Sequence, residues 1–121
     1  MVDRAPRMKL WIESDGKLVM SDYRVRLLEA VANTGSLSKA AESMRLSYRR
    51  AWGKLKELEE NLGYALVASE AGGSSGGRTI LTDDAREFVR AYRRFQDRVA
   101  ADMDRAFSEE LAGLGPGPAD S

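Results

Sequence analysis

Residues 36–63 constrain this chain more than any other stretch, because capping residues and a three-residue turn set two helical segments close together. Ser36 is placed to cap a short helix over about 37–44, its side-chain oxygen taking a backbone N–H that the first turn leaves unsatisfied. Arg45-Leu46-Ser47 turns the chain, and a third helix follows over about 48–62 until Gly63 ends it in the left-handed region. Ala51, Leu55, Leu58 and Leu62 recur in steps of four, three and four, an apolar stripe at helical period. Ala40 and Ala41 give the shorter helix a small packing face, Met44 and Leu46 bury the turn, and Ala51 and Leu55 receive it. Two short helices joined in this way make a helix-turn-helix.

The same punctuation organises the flanks. Residues 8–13 alternate apolar and polar apart from Trp11, Asp15-Gly16 suits a two-residue hairpin turn, and 17–20 return as a second strand. Such a hairpin must pack on helices to persist. Ser21 caps a helix over 22–34, with Leu27, Leu28, Val31 and Ala32 at helical spacing, and Gly35 closes it. Beyond Gly63, residues 64–69 and 78–82 read as short strands around a Gly- and Ser-rich loop, and a last helix covers 83–111. A hairpin directly after the third helix turns the motif into a winged helix.

Charge singles out one face of the third helix. The chain carries 19 basic and 19 acidic residues, so no global field draws a polyanion. Yet from Arg45 to Lys56 there are five basic residues (Arg45, Arg49, Arg50, Lys54, Lys56) and no acid. With Ala51 facing the core, Arg49, Gly53 and Lys56 lie opposite, flanked by Arg50 and Lys54. Arg49 and Arg50 stand in the first turn, where cations oppose the helix dipole at a cost of about 0.3–1 kcal/mol each. An anion at this end relieves that cost, and arginine bridges both acceptors of a guanine edge, so Arg49 and Arg50, with Lys54 and Lys56 beside them, are expected to contact bases in the major groove. Gly53 costs a helix about 1 kcal/mol against alanine, and close approach of the backbone to DNA explains it. Tyr48 suits either a base or phosphate contact or packing against the second helix. Trp52 borders the apolar stripe and reads as core. Ser36, Ser38 and Lys39 open the second helix, and Ser47 opens the third, where phosphates are held. In the loop, Ser74, Ser75 and then Arg78 suit a wing along phosphates or a minor groove. The loop lacks the Lys-Ser/Thr of a nucleotide-binding P-loop.

The last helix implies a second copy. Its 29 residues span about 43 Å, more than a three-helix core covers. Phe88, Tyr92, Phe95, Val99, Met103 and Ala106 continue an apolar stripe along it, and a partner chain is the simplest cover. The expected fold is therefore mostly α with small β wings: a winged helix-turn-helix with an N-terminal β-hairpin and a long C-terminal dimerisation helix. Its expected divisions are a flexible lead-in (1–7), a DNA-binding domain (8–82), the dimerisation helix (83–111) and a disordered tail (112–121).

The chain has neither Cys nor His, which excludes disulfides, thiolate or imidazole metal sites and every Ser–His or Cys–His catalytic arrangement. No enzyme activity, cofactor or metal is expected. No apolar run reaches membrane-span length and no signal peptide opens the chain, so a cytoplasmic protein away from membranes is expected.

The run Thr34-Gly35-Ser36-Leu37-Ser38-Lys39-Ala40-Ala41, then Leu46-Ser47-Tyr48-Arg49-Arg50-Ala51-Trp52, then Leu66-Val67, the glycines and serines of 72–77 and Leu81-Thr82 resemble the N-terminal DNA-binding domain of molybdate-responsive ModE-type regulators. Trp11, Asp15-Gly16 and Leu27-Leu28 resemble that family's lead-in, and Ala40-Ala41 with Leu58-Glu59-Glu60 is shared with the wider LysR-type winged helices. Ala85 departs from the family's usual glycine, which implies a different start to the last helix. The resemblance implies a dimeric winged-helix binder of double-stranded DNA, acting on an inverted-repeat operator in a molybdate-related or ModE-like regulon. It does not carry molybdate binding to these 121 residues, since full-length members bind the oxyanion in C-terminal domains. Constitutive binding, or control by protein level or a separate effector-binding partner chain, is expected instead. The competing reading is a protein-interaction module whose basic face is incidental.

Overall fold

Asp15 and Gly16 both take positive φ, 52° and 78°, the geometry of the tight turn that matches the twist of a hairpin. They join β1 (Trp11–Ser14) to β2 (Lys17–Ser21), with a register shift between Ile12 and Glu13. The computed structural model describes residues 4–71 and 77–115. In these, two antiparallel two-stranded sheets are interleaved with four helices. β2 runs directly into α1 (Asp22–Thr34), because Ser21 Oγ accepts from the Arg24 amide at 3.1 Å and Asp22 complements the helix dipole. Gly35, at φ 69°, closes α1 with its amide donating to Val31 O.

α2 (Leu37–Ser43) ends one residue earlier than the sequence suggests. Arg45 occupies the left-handed region at φ 57°. Its amide donates to Glu42 O at 3.0 Å, and the Leu46 amide donates to Ala41 O at 2.9 Å. This is a Schellman closure with arginine at the position glycine normally fills. α3 (Tyr48–Leu62) then starts at Ser47, whose Oγ accepts from the Arg50 amide, and stops at Gly63, φ 86°.

β3 (Val67–Glu70) begins three residues later than expected and pairs with β4 (Arg78–Leu81), from Val67↔Leu81 to Glu70↔Arg78. The delay has a cause: Glu59 Oε2 accepts from the amides of Leu66 and Val67, so the chain is bound to α3 before the ladder starts. α4 (Asp83–Glu110) is capped by Thr82, whose Oγ1 accepts from the Ala85 amide at 3.1 Å and donates to Ala65 O.

The chain divides into two compact units, Leu10–Tyr92 and residues 1–9 with 93–121. In the first, Val25, Leu27, Leu28 and Val31 of α1 meet Ala40 and Ala41, Ala51, Leu55 and Leu58, and Leu66 and Leu81. The start of α4 belongs to this core through Ala85, Val89 and Tyr92. Tyr92, expected to face a second chain, is 2% exposed, and its hydroxyl donates to Leu10 O at 2.8 Å. That placement corrects the expected interface stripe: the ring is spent on the chain's own core. In the second unit, Arg4 Nη1 donates to Leu114 O at 3.1 Å.

Candidate nucleic-acid interface

The first two turns of α3 present side chains that the fold does not use. Tyr48 is 55% exposed, and Arg49 and Arg50 are exposed. Among the described residues neither arginine forms an ion pair. The first turn holds no acid, and Ser47 caps it by accepting from the Arg50 amide. A Cβ added at Gly53 would meet nothing within 4 Å, so no neighbour within the chain requires glycine there.

Trp52 corrects the sequence reading. It is 48% exposed rather than buried, with Lys56 Nζ 5.5 Å from its ring centroid. The stripe of Ala51, Leu55 and Leu58 fills the space under α3, and one residue on is about 100° around the helix, on its open flank. The indole therefore joins the outward face.

The other expected site residues fall into separate groups. Ser36 caps α2, accepting from the Lys39 amide at 3.1 Å, while the Ser38 and Lys39 side chains are exposed. The Thr79 amide donates to Gly35 O at 2.9 Å, which ties β4 to the α1–α2 junction. Arg78 therefore lies beside the end of α1, its Nε 3.7 Å from where a Gly35 Cβ would stand, and 3.9 Å from Glu70 Oε1. Ser74 and Ser75 lie outside the described residues.

Lys54 and Lys56 separate by role. Lys56 Nζ is held by Glu59 Oε1 at 2.9 Å, so it belongs to the link between α3 and β3. Burial first, then the backbone hydrogen bond from Leu66, the Lys56 contact and Val67 act on the Glu59 carboxyl. Burial alone would raise its pKa; the donors outweigh it and hold the carboxyl below its usual range. Lys54 turns toward α1, with Nζ 5.3 Å from the Tyr23 ring centroid. Burial, then Arg24 and Arg50, lower its pKa. Sequence reading missed the α1 residues here, because Arg24 and Arg26 stand in a segment that also carries Asp22 and Glu29.

On α4, Phe95 is 43% exposed, Phe88, Val99 and Met103 are half-buried, and Ala106 is exposed. Among the described residues no group of three or more His, Cys, Asp or Glu could hold a metal. Among the described residues no helix is long and apolar enough to cross a membrane.

Residues 23–86 match the model of the bacterial regulatory helix-turn-helix proteins of the lysR family. The chain is 37% identical over 103 residues to the molybdenum transport protein ModE of Azotobacter vinelandii, covering 85% of this chain and 38% of that protein. It is 30% identical over 98 residues to the DNA-binding transcriptional dual regulator ModE of Escherichia coli K12, covering 81% of this chain and 36% of that one. The chain thus spans a little over a third of the length of these relatives. Among solved structures, the CbnR_DBD–DNA complex aligns with a TM-score of 0.55 at 23% identity, covering 74% of this chain and 98% of that one. The BenM_DBD/benA site 1 DNA complex aligns with a TM-score of 0.55 at 22% identity, over 78% of this chain and all of that one. At these identities the structures share the winged-helix fold.

Proposed function

The chain belongs to the lysR family of bacterial regulatory helix-turn-helix proteins, and we propose that it is a sequence-specific transcriptional regulator that binds duplex DNA as a homodimer on an inverted-repeat operator. The observation that carries this reading is the start of α3, where Tyr48, Arg49, Arg50, Trp52 and Gly53 face outward over a helix end with no acid. In the major groove, Arg49 and Arg50 read guanine through its O6 and N7 acceptors. Tyr48 adds a base or phosphate contact, and Gly53 lets the helix backbone close on the duplex. Ser36, Ser38, Lys39 and Arg78, gathered at the α1–α2 junction, position the backbone phosphates.

Exposed Phe95, with half-buried Phe88, Val99 and Met103, supports pairing of α4 with a second copy. Two recognition helices then stand about 34 Å, or a multiple of it, apart, which calls for an inverted repeat. The likeness to two ModE proteins supports a molybdate-related regulon. Selection from a random duplex library tests the proposal. An enriched inverted repeat, bound with a steep salt dependence, is the expected result. Recovery no better than from unselected DNA would overturn it and favour a protein-interaction module.

A further inference from the structure

α1 and α3 meet in a cluster of cations that the chain leaves incompletely neutralised. The Tyr23 ring has Lys54 Nζ at 5.3 Å, Arg26 Cζ at 5.8 Å and Arg24 Cζ at 5.9 Å from its centroid, all within cation–π range. Arg50 and Lys54, four apart on α3, share a face and continue this group toward the first turn. Among the described residues two carboxylates pair with this group, Asp22 Oδ2 at 3.0 Å from Arg26 and Glu57 Oε1 at 3.4 Å from Arg24. Arg24 Nε is buried with no hydrogen-bond partner among the described residues. Folding thus gathers like charges around one aromatic ring, and an external anion would offset that repulsion.

We propose that Lys54 and Arg26, gathered on Tyr23, form a phosphate anchor that seats a backbone phosphodiester of duplex DNA beside the segment entered by α3. The inference rests on the reading of the chain as a DNA binder and changes the part Lys54 plays, from a base contact in the groove to a contact on the rail beside it. The choice of a phosphodiester over a free anion or an acidic peptide follows from continuity: Arg50 links the cluster to the face that meets the bases. Phosphate oxygens are the same at every base pair, so an anchor on them contributes affinity and orientation without sequence preference.

The test measures affinity against salt for Lys54→Gln, Arg26→Gln and Lys54→Arg, each on the selected operator and on an unrelated duplex of equal length. Each glutamine variant is expected to reduce the slope of log K against log salt by about 0.9, the release expected for one phosphate. The loss should be equal on both duplexes, leaving their affinity ratio unchanged, and Lys54→Arg should keep the wild-type slope. Arg26 is exposed, so Arg26→Gln carries the comparison should Lys54→Gln disturb the fold. Unchanged slopes in both glutamine variants of a protein that binds DNA would overturn the anchor alone. A loss confined to the operator would overturn it too and return Lys54 to base readout. A wild-type protein that binds neither duplex would overturn the functional reading along with it.

Discussion

Glu59 Oε2 accepts the Leu66 amide at 2.8 Å and the Val67 amide at 3.3 Å, while Oε1 holds Lys56 Nζ at 2.9 Å. One carboxylate thereby fixes where α3 hands the chain to the wing. Its folded pKa lies below the ordinary glutamate value, so its contribution is present above that value and is lost as pH falls through the lowered one. Glu59→Ala is expected to cost about 1.5–3 kcal/mol at pH 7, the range for hydrogen bonds to a charged group. Urea denaturation at pH 7 and again near pH 3 checks this, since the difference from wild type should shrink in acid. An equal difference at both pH values would mean that packing, not the charge, makes the link.

Arg45 sits at φ 57° at the end of α2, a conformation that costs an L-residue about 1–2 kcal/mol and glycine almost nothing. Arg45→Gly is therefore expected to raise stability by about 1 kcal/mol, read from thermal or urea melts. A loss of stability would show that the arginine side chain compensates its backbone.

Why some of this was legible and some was not follows from these two residues. The helices were readable because their limits are written locally: Ser21, Ser36 and Ser47 cap, and Gly35 and Gly63 stop. The α2 closure carries no such sign, since the left-handed position falls on Arg45 rather than on a glycine, with half-buried Leu46 packed on the core after it. The start of β3 depends on Glu59, seven residues from the amide it binds, which strand periodicity does not record. The same limit holds at the interface. Arg49, Arg50 and Gly53 stand out by breaking local rules of helix charge and propensity, so the sequence marked them. Trp52 and Arg26 break no such rule, and Arg24, in the first turn of α1, is accompanied there by Asp22, so only the folded chain shows where these side chains point.

Arg49→Ala and Arg50→Ala are each expected to weaken operator binding by about 1–3 kcal/mol if their forks span a guanine edge. Stability should hold or rise slightly, because each change removes a cation from a helix N-terminus. Titration on operator and on single-base variants of it checks both points. Unchanged affinity in both variants would remove them from readout.

Phe95→Asp is expected to shift the protein to a monomer in sedimentation at tens of micromolar and to weaken binding to a full inverted repeat more than to a half-site. Phe95 is 43% exposed on α4, so a charge there keeps more of its water in the monomer than against the apolar surface of a second copy. A variant that stays dimeric would move the interface off this face.

Gly53→Ala separates folding from binding most cleanly. Nothing stands within 4 Å of the added methyl, and glycine inside a helix costs about 1 kcal/mol against alanine, so the variant should be more stable by about that amount. If the α3 backbone closes on the duplex at this residue, the same methyl stands between helix and DNA. Operator affinity should then fall, by about tenfold if the displacement costs about 1.4 kcal/mol. The two effects have opposite signs, so a destabilised fold cannot explain weaker binding. Melting temperature and operator affinity measured on one preparation decide the matter. A more stable variant that binds as tightly as wild type would show that Gly53 makes no close approach, and α3 would have to meet the bases through its side chains alone.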